Sequence, residues 1–340
     1  MSPSAPLLPL TAIAQELAQA PIQTLSPMQA GGNNPLYRVE TAEKTFALKF
    51  YPPQASDPRD RLGRETAALA LLNRSGLTAT PKLIGVDRHN HCALFSWIDG
   101  QTIPHPTAGD IDQALVFIQA LRDLTLAPDS SPLPPASDAV LSGQDLLDQL
   151  HRRYDRLADL PDPPPSLTDF LENDFSPALN QFSQRARQIY QQAGLDISSE
   201  ITPSQRLLSP SDFGFHNALR QRDGRIVFLD FEYFGWDDPV KLTCDFSSHP
   251  GMELAPALQN HYRRQMQEMF ATDDHFAIRL QALHPLLELC WMLIMLNEFL
   301  PDVWARRAKA QGVKHQQQAS KQQLHRVKKR FQQLTESSHD

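Results

Sequence analysis

The segment Ser211-Asp212-Phe213-Gly214-Phe215-His216-Asn217, followed by an apolar run at 226–229 and then Asp230-Phe231-Glu232, most narrows what this chain can become. An acid, an amide five residues on and a second acid at the end of an apolar strand are the groups phosphoryl transfer requires. One orients a hydroxyl and two hold magnesium. The fold must therefore bring a loop and a strand end to one place.

At 340 residues the chain exceeds the size at which a single core usually stops growing, which predicts two lobes with a cleft between them. A hydrophobic content of 41% with 21% charged residues describes an ordinary soluble globular protein. The formal net charge of -7 argues against a dedicated nucleic-acid binder, so no nucleic-acid partner is expected. Cys92, Cys244 and Cys290 are odd in number and lack metal-ligand spacing, so they read as reduced and buried, as suits the cytoplasm. Leu10, Ile13 and Leu17 follow helical spacing and no basic residue precedes them, which predicts an amphipathic helix rather than a signal peptide. The apolar run at 286–300 contains Glu288, Asn297 and Glu298 and is too short and polar to span a bilayer. A buried helix is expected there, and no membrane insertion.

Alternation predicts an antiparallel meander from Thr24 to Tyr51, interrupted at Gly31-Gly32-Asn33-Asn34-Pro35 and at residues 42–44. In its last strand Phe46, Leu48 and Phe50 share one face, and Ala47, Lys49 and Tyr51 the other. A helix over 61–72 and strands over 82–87 and 91–97 complete a five-stranded sheet with one helix. Beyond it the pattern turns helical, with helices expected over 111–126, 142–157, 167–193, 255–270 and 275–300. Prolines at 128–135 and 161–165 mark connectors. The Gln-, Lys- and Arg-rich stretch at 305–334 reads as a largely exposed helix.

Together these residues resemble the aminoglycoside phosphotransferase and choline kinase group of small-molecule kinases. The likeness covers roughly residues 24–250. It implies an α+β, protein-kinase-like two-lobed fold: an N-terminal nucleotide-binding lobe with hinge at 1–98, and a larger, mainly helical lobe at 99–340 carrying the catalytic loop and acceptor site. Phe46-Ala47-Leu48-Lys49 is similar to the strand motif that supplies the ATP-binding lysine, and Glu65 looks like its ion-pair partner. Residues 94–100, with Phe95 and Trp97, look like the hinge whose backbone meets adenine. Asp212 and Asn217 match the catalytic loop, and Asp230 the metal-binding acid. Glu232, Gly235, Asp238 and Pro239 continue the family's pattern.

The resemblance implies an ATP- and Mg2+-dependent phosphotransferase acting on a hydroxyl of a small polar acceptor. Lys49 would meet the phosphates with Glu65 behind it, while Gly31, Gly32, Asn33 and Asn34 would form the turn over them. Asn217 and Asp230 would hold Mg2+, and Asp212 would accept or orient the hydroxyl proton. One departure is that Pro210-Ser211 stand where the family carries His-Gly. It motivates the alternative, a catalytically weak or inactive nucleotide-binding protein of the same fold. Simpler readings remain for several residues: Asp212 and Asn217 also suit turn capping, Asp238 a helix cap, and His216 and Asp245 structural roles. Glu232 suits a metal shell and a salt bridge equally. Glu253, Glu288, Trp291 and Glu298 are candidates for an acceptor pocket.

Overall fold

The computed structural model describes residues 10–28, 34–53, 57, 59–126, 133–305 and 316–337. Gly31, Gly32 and Asn33, expected to cover the phosphates, lie outside the described residues. The chain divides into two compact units, Met1–Ser137 with Leu208–Trp236 and Asp138–Leu207 with Asp237–Asp340.

In the first unit, β1 (Thr24–Met28), β2 (Leu36–Glu40), β3 (Thr45–Phe50), β4 (Leu83–Asp87) and β5 (Cys92–Ser96) form one antiparallel sheet in the order β1-β2-β3-β5-β4. Because side chains alternate along a strand, Val39, Phe46, Leu48, Cys92 and Leu94 share a core with Ile13 and Ala14 of α1 (Leu10–Ala18). That leaves Lys49 on the opposite face, where it meets α2 (Arg61–Arg74) through Glu65. The start of α2 is fixed by Asp60, whose carboxylate accepts the Gly63 N–H at 2.9 Å.

The same unit contains α3 (Ala108–Thr125), opened by a reciprocal Thr107–Asp110 capping box. β6 (Leu207–Ser209) leads into the 210–217 loop, and a hairpin of β7 (Ala218–Arg220) and β8 (Ile226–Phe228) follows. Asp110 also binds Arg220 at 2.6 Å, and the Gln113 side chain bonds both Gly224 O and Ile226 N, so α3 grips the hairpin.

The second unit is helical: α4 (Gly143–Ala158), α5 (Pro165–Asp169), α6 (Ser176–Gln192), α7 (Pro239–Ser248), α8 (Pro256–Met269), α9 (Phe276–Met295) and α10 (Gln316–Ser337). A π-helical turn, Phe170–Phe175, joins α5 to α6. α9 lies at the centre and packs on α4, α6, α7 and α10. The segment Phe276–Phe299 is long and apolar enough to cross a membrane, yet 67% of its apolar window is buried within the protein, as expected of a core helix.

α10 is the largely exposed helix that its composition suggests, and it docks along one narrow stripe. Ser320, Leu324 and Val327 are buried, and Phe331 packs edge-on against Phe170 with ring centroids 5.4 Å apart. Few apolar residues sufficed because they fall on one stripe of the helix. Arg330 adds an ion pair to Glu288 at 2.7 Å and donates to the Ser248 carbonyl at the end of α7.

Candidate active site

Two phenylalanines explain how the acids are held. Phe213 and Phe231 directly follow Asp212 and Asp230, and both are buried against Phe117 of α3, with ring centroids 5.6 and 6.2 Å away. Phe228 of β8 completes the cluster, 4.9 Å from Phe117 and 4.7 Å from Phe213. Burying large aromatic rings stabilises this arrangement, and each acid inherits its position from the ring beside it. The Leu229 N–H donates to Asn217 O at 2.8 Å, joining the loop to the strand end next to Asp230.

Across the sheet face, the Lys49 ammonium lies 2.7 Å from Glu65 Oε2, 2.6 Å from Asp230 Oδ1 and 3.5 Å from Glu232 Oε2. Glu65, Asp230 and Glu232 are grouped closely enough to hold a cation, and Lys49 already stands among them. Burial works against the charge on Lys49, but Asp230, Glu65 and Glu232 outweigh it and hold the ammonium well above its ordinary pKa. Burial raises Asp230 above the usual carboxylate range against the pull of Lys49, and Glu232 and Glu65 push the same way. Negative charge is therefore in surplus at Asp230, whose side chain is 32% exposed. A cation would relieve that surplus.

Glu65 is fixed at further points. The Tyr51 hydroxyl donates to Oε2 at 2.7 Å, and the Phe231 N–H donates to Oε1 at 3.3 Å. Burial, then Glu65, raises the Tyr51 phenol well above its ordinary value, so it remains a donor. Glu232 accepts from Arg61 Nη1 at 2.6 Å and from Asn34 Nδ2. Arg61 in turn binds Asp57, whose pKa is held well below the usual range because its bonds to Arg59 and Arg61 outweigh burial.

In the loop, Asn217 Nδ2 donates to Asp212 O at 3.0 Å and to Oδ2 at 3.2 Å, while His216 Nε2 is 2.9 Å from Asp212 Oδ1. His216 thus touches the candidate catalytic acid, a contact beyond the loop role read from the sequence. Ser211 and Asp230 both adopt left-handed backbone, at φ +67° and +66°.

The structure therefore gathers Lys49, Glu65 and Asp230 at one point and Asp212 with Asn217 at another, and a backbone bond connects the two. Phe95 is buried within the sheet, with Ala47 and Leu83 as its cross-strand partners. Trp97 turns its indole to Asp99 at 2.9 Å and lies under the Arg38 guanidinium. Neither side chain joins the lysine cluster.

In the second unit, Asp238 caps α7 by accepting the Val240 N–H and pairs with buried Arg279 at 2.8 Å. Asp245 is paired with Lys241 at 2.7 Å and accepts the Trp291 indole N–H. Glu288 binds Arg330 and Glu253 binds Arg326, while Glu298 is buried beneath α10. Sequence reasoning missed Tyr51 and Arg61 as parts of the site, and read Asn34 only as part of the turn over the phosphates and not as a partner of Glu232. Of these only Tyr51 carried a signal, its place on the Lys49 face of β3.

Solved structures share this architecture at low sequence identity. A choline kinase from Streptococcus pneumoniae is 15% identical with a TM-score of 0.58, covering 95% of this chain and 99% of its own. A spectinomycin phosphotransferase, solved with ADP and spectinomycin, is 13% identical with a TM-score of 0.61, covering 94% and 95%. An ethanolamine kinase from Plasmodium vivax is 12% identical with a TM-score of 0.56, covering 96% and 86%. The fold is protein-kinase-like, with the five-stranded antiparallel sheet near the N-terminus and a mostly helical remainder. Residues 24–269 match the phosphotransferase enzyme family, and the chain belongs to that family. No curated protein matches the sequence.

Proposed function

We propose that this protein is an ATP- and magnesium-dependent kinase that moves a γ-phosphoryl group to a hydroxyl of a small polar molecule in the cytoplasm. The observation that carries the reading is the Lys49 ammonium held between Glu65 and Asp230 at 2.7 and 2.6 Å. In this reading the nucleotide-binding lobe spans 1–98 and ends in the hinge at Phe95 and Trp97, and 99–340 carries the acceptor site. The similarly folded proteins are named for choline, ethanolamine and spectinomycin, which supports an acceptor of that kind, a small polar alcohol.

Lys49 would neutralise phosphate oxygens, kept charged and aimed by Glu65 and Tyr51. Asp212 would orient the acceptor hydroxyl and take its proton, with His216 and Asn217 holding the carboxylate in place. Asp230 and Asn217 offer the hard oxygen donors magnesium prefers, and the surplus negative charge at Asp230 fits a bound cation. When bound, magnesium would supply further charge neutralisation at the transferring group.

Ser211 supports a second reading, a catalytically weak or inactive nucleotide-binding protein. It holds φ +67° where the resembled family carries glycine, a conformation that costs an L-residue about 1–2 kcal/mol. Its hydroxyl donates to Ser137 O at 3.2 Å and its N–H to Ser209 Oγ at 3.0 Å, which pins the loop and offsets part of that cost.

Asp212→Ala separates the readings. For a kinase, magnesium-dependent phosphoryl transfer should fall by roughly 10²–10⁴-fold while nucleotide affinity, measured by calorimetry, is retained. A nucleotide-binding protein would show affinity and no turnover, before or after the substitution, across a panel of hydroxylated metabolites.

A further inference from the structure

Both oxygens of Glu232 are taken by protein donors from segments far apart in sequence. Arg61 Nη1 donates to Oε1 at 2.6 Å, Asn34 Nδ2 donates to Oε2, and Lys49 Nζ stands 3.5 Å from Oε2. The carboxylate side chain is 4% exposed and that of Arg61 5%, while Asp230, two residues away, is 32% exposed. A metal ion at Glu232 would have to displace a buried guanidinium or a buried amide, which costs more than it returns.

The donors show what the carboxylate does instead. Asn34 lies two residues before β2, and β2 places Leu36 opposite Lys49, with Phe50 N donating to Pro35 O at 2.9 Å. Binding Asn34 therefore ties the lysine end of β2 and β3 to the segment that carries Asp230. Arg61 is the first residue of α2, one helical turn ahead of Glu65, so its bond to Glu232 ties the glutamate helix to the same segment. Asp57 neutralises the other edge of Arg61 at 2.5 Å, which lets this pairing stay buried.

We infer that Glu232 is a positioning residue and not a magnesium ligand: through Asn34 and Arg61 it clamps β2 and α2 to the Asp230 segment and so sets the Lys49–Glu65–Asp230 geometry. The inference rests on the kinase reading of that same site.

A polarity swap tests it. Asn34→Asp sets two carboxylates against each other, and Glu232→Gln removes the charge. The double variant N34D/E232Q restores the hydrogen bond in reverse and keeps the net charge of the original chain. Thermal stability, ATP affinity by calorimetry and the magnesium concentration giving half-maximal phosphoryl transfer would be measured for all four proteins.

N34D should weaken ATP binding about tenfold, and N34D/E232Q should recover most of that loss, as expected of directly coupled sites. Half-saturation by magnesium should stay within about twofold throughout, because no ligand has been removed. An E232Q protein whose magnesium requirement rises about tenfold or more, with no recovery in the double variant, would make Glu232 a ligand and overturn the inference. Equal ATP affinity in all four proteins would overturn it as well. Failure of the unaltered protein to bind ATP would sink the kinase reading and this inference with it, and that failure appears in a control carrying no substitution.

Discussion

Tyr51 shows how much of this site depends on a side chain that performs no chemistry. Its phenol is buried, donates to the same Glu65 oxygen that pairs with Lys49, and places its ring 5.1 Å beneath the ammonium. A charged acceptor in a dry setting binds a neutral donor more strongly than water-exposed groups do. Tyr51→Phe keeps the ring and removes only that donor. It should lower unfolding free energy by about 1.5–3 kcal/mol, the range for a hydrogen bond to a charged group. Urea unfolding measures this, and a variant as stable as the original would show that Glu65 is held by Lys49 and Phe231 alone. Ser211 makes the opposite point: it bears backbone strain that glycine would not, and its two hydrogen bonds are the local compensation.

At the scale of elements, the short strand β9 (Gly235–Asp237) accounts for a residue that the sequence offered only as part of a family pattern. The backbone of residues 134–136 pairs alongside it in parallel, with Ala136 N donating to Trp236 O at 2.9 Å and Trp236 N to Pro134 O at 3.1 Å. A Cβ at Gly235 would sit 2.4 Å from Pro134 O and 2.5 Å from Ala136 N. Gly235→Ala must therefore push two backbones apart and should cost about 1–3 kcal/mol, seen as a lower urea midpoint with an unchanged slope. An unaltered midpoint would mean that this pairing is loose. The five strands and the lysine, acid and amide positions were legible in the sequence, because alternation and fixed spacing are local signals. The clamp of Asn34, Arg61 and Glu232 was not, since it joins residues up to 198 positions apart and neither Asn34 nor Arg61 breaks any local rule. α7 was equally hidden: only the Asp238-Pro239 start announced it, and the helix is buried throughout its length, so no polar face marks its period. α10 was legible as a largely exposed helix, though which of its few apolar residues dock was not.

Across the whole molecule, ionisable groups are buried in the second unit as well as at the lysine site, and this sets how stability depends on pH. His284 of α9 has a side chain 26% exposed, and its Nε2 lies 3.6 Å from Glu288, too far for a firm hydrogen bond. Burial, aided by Arg263 and Arg330 and opposed by Glu288, pushes its pKa down from 6.5 to about 4. A histidine whose pKa is lower in the folded than in the unfolded protein contributes stability that is fully present above the unfolded value. As pH falls from 6.5 toward 4 the unfolded chain takes up a proton at His284 that the folded chain refuses, so the contribution of this group declines through that window, while Asp230 and Asp237, raised by burial to about 7, act in the opposite direction there. The loss from this one group has an upper bound of roughly 3 kcal/mol, reduced by partial exposure. Below it a second decline begins, because Asp57 and Asp273, both held under the usual carboxylate range by arginine partners despite burial, then become protonated. Urea denaturation at pH values of about 7.5, 5.5 and 4 should therefore show the original protein losing stability relative to His284→Gln as pH falls, by up to about 3 kcal/mol. The aspartates titrate in both proteins and cancel from that difference. A difference that stays constant between pH 6.5 and 4 would show that Glu288 holds the proton on the ring of folded His284.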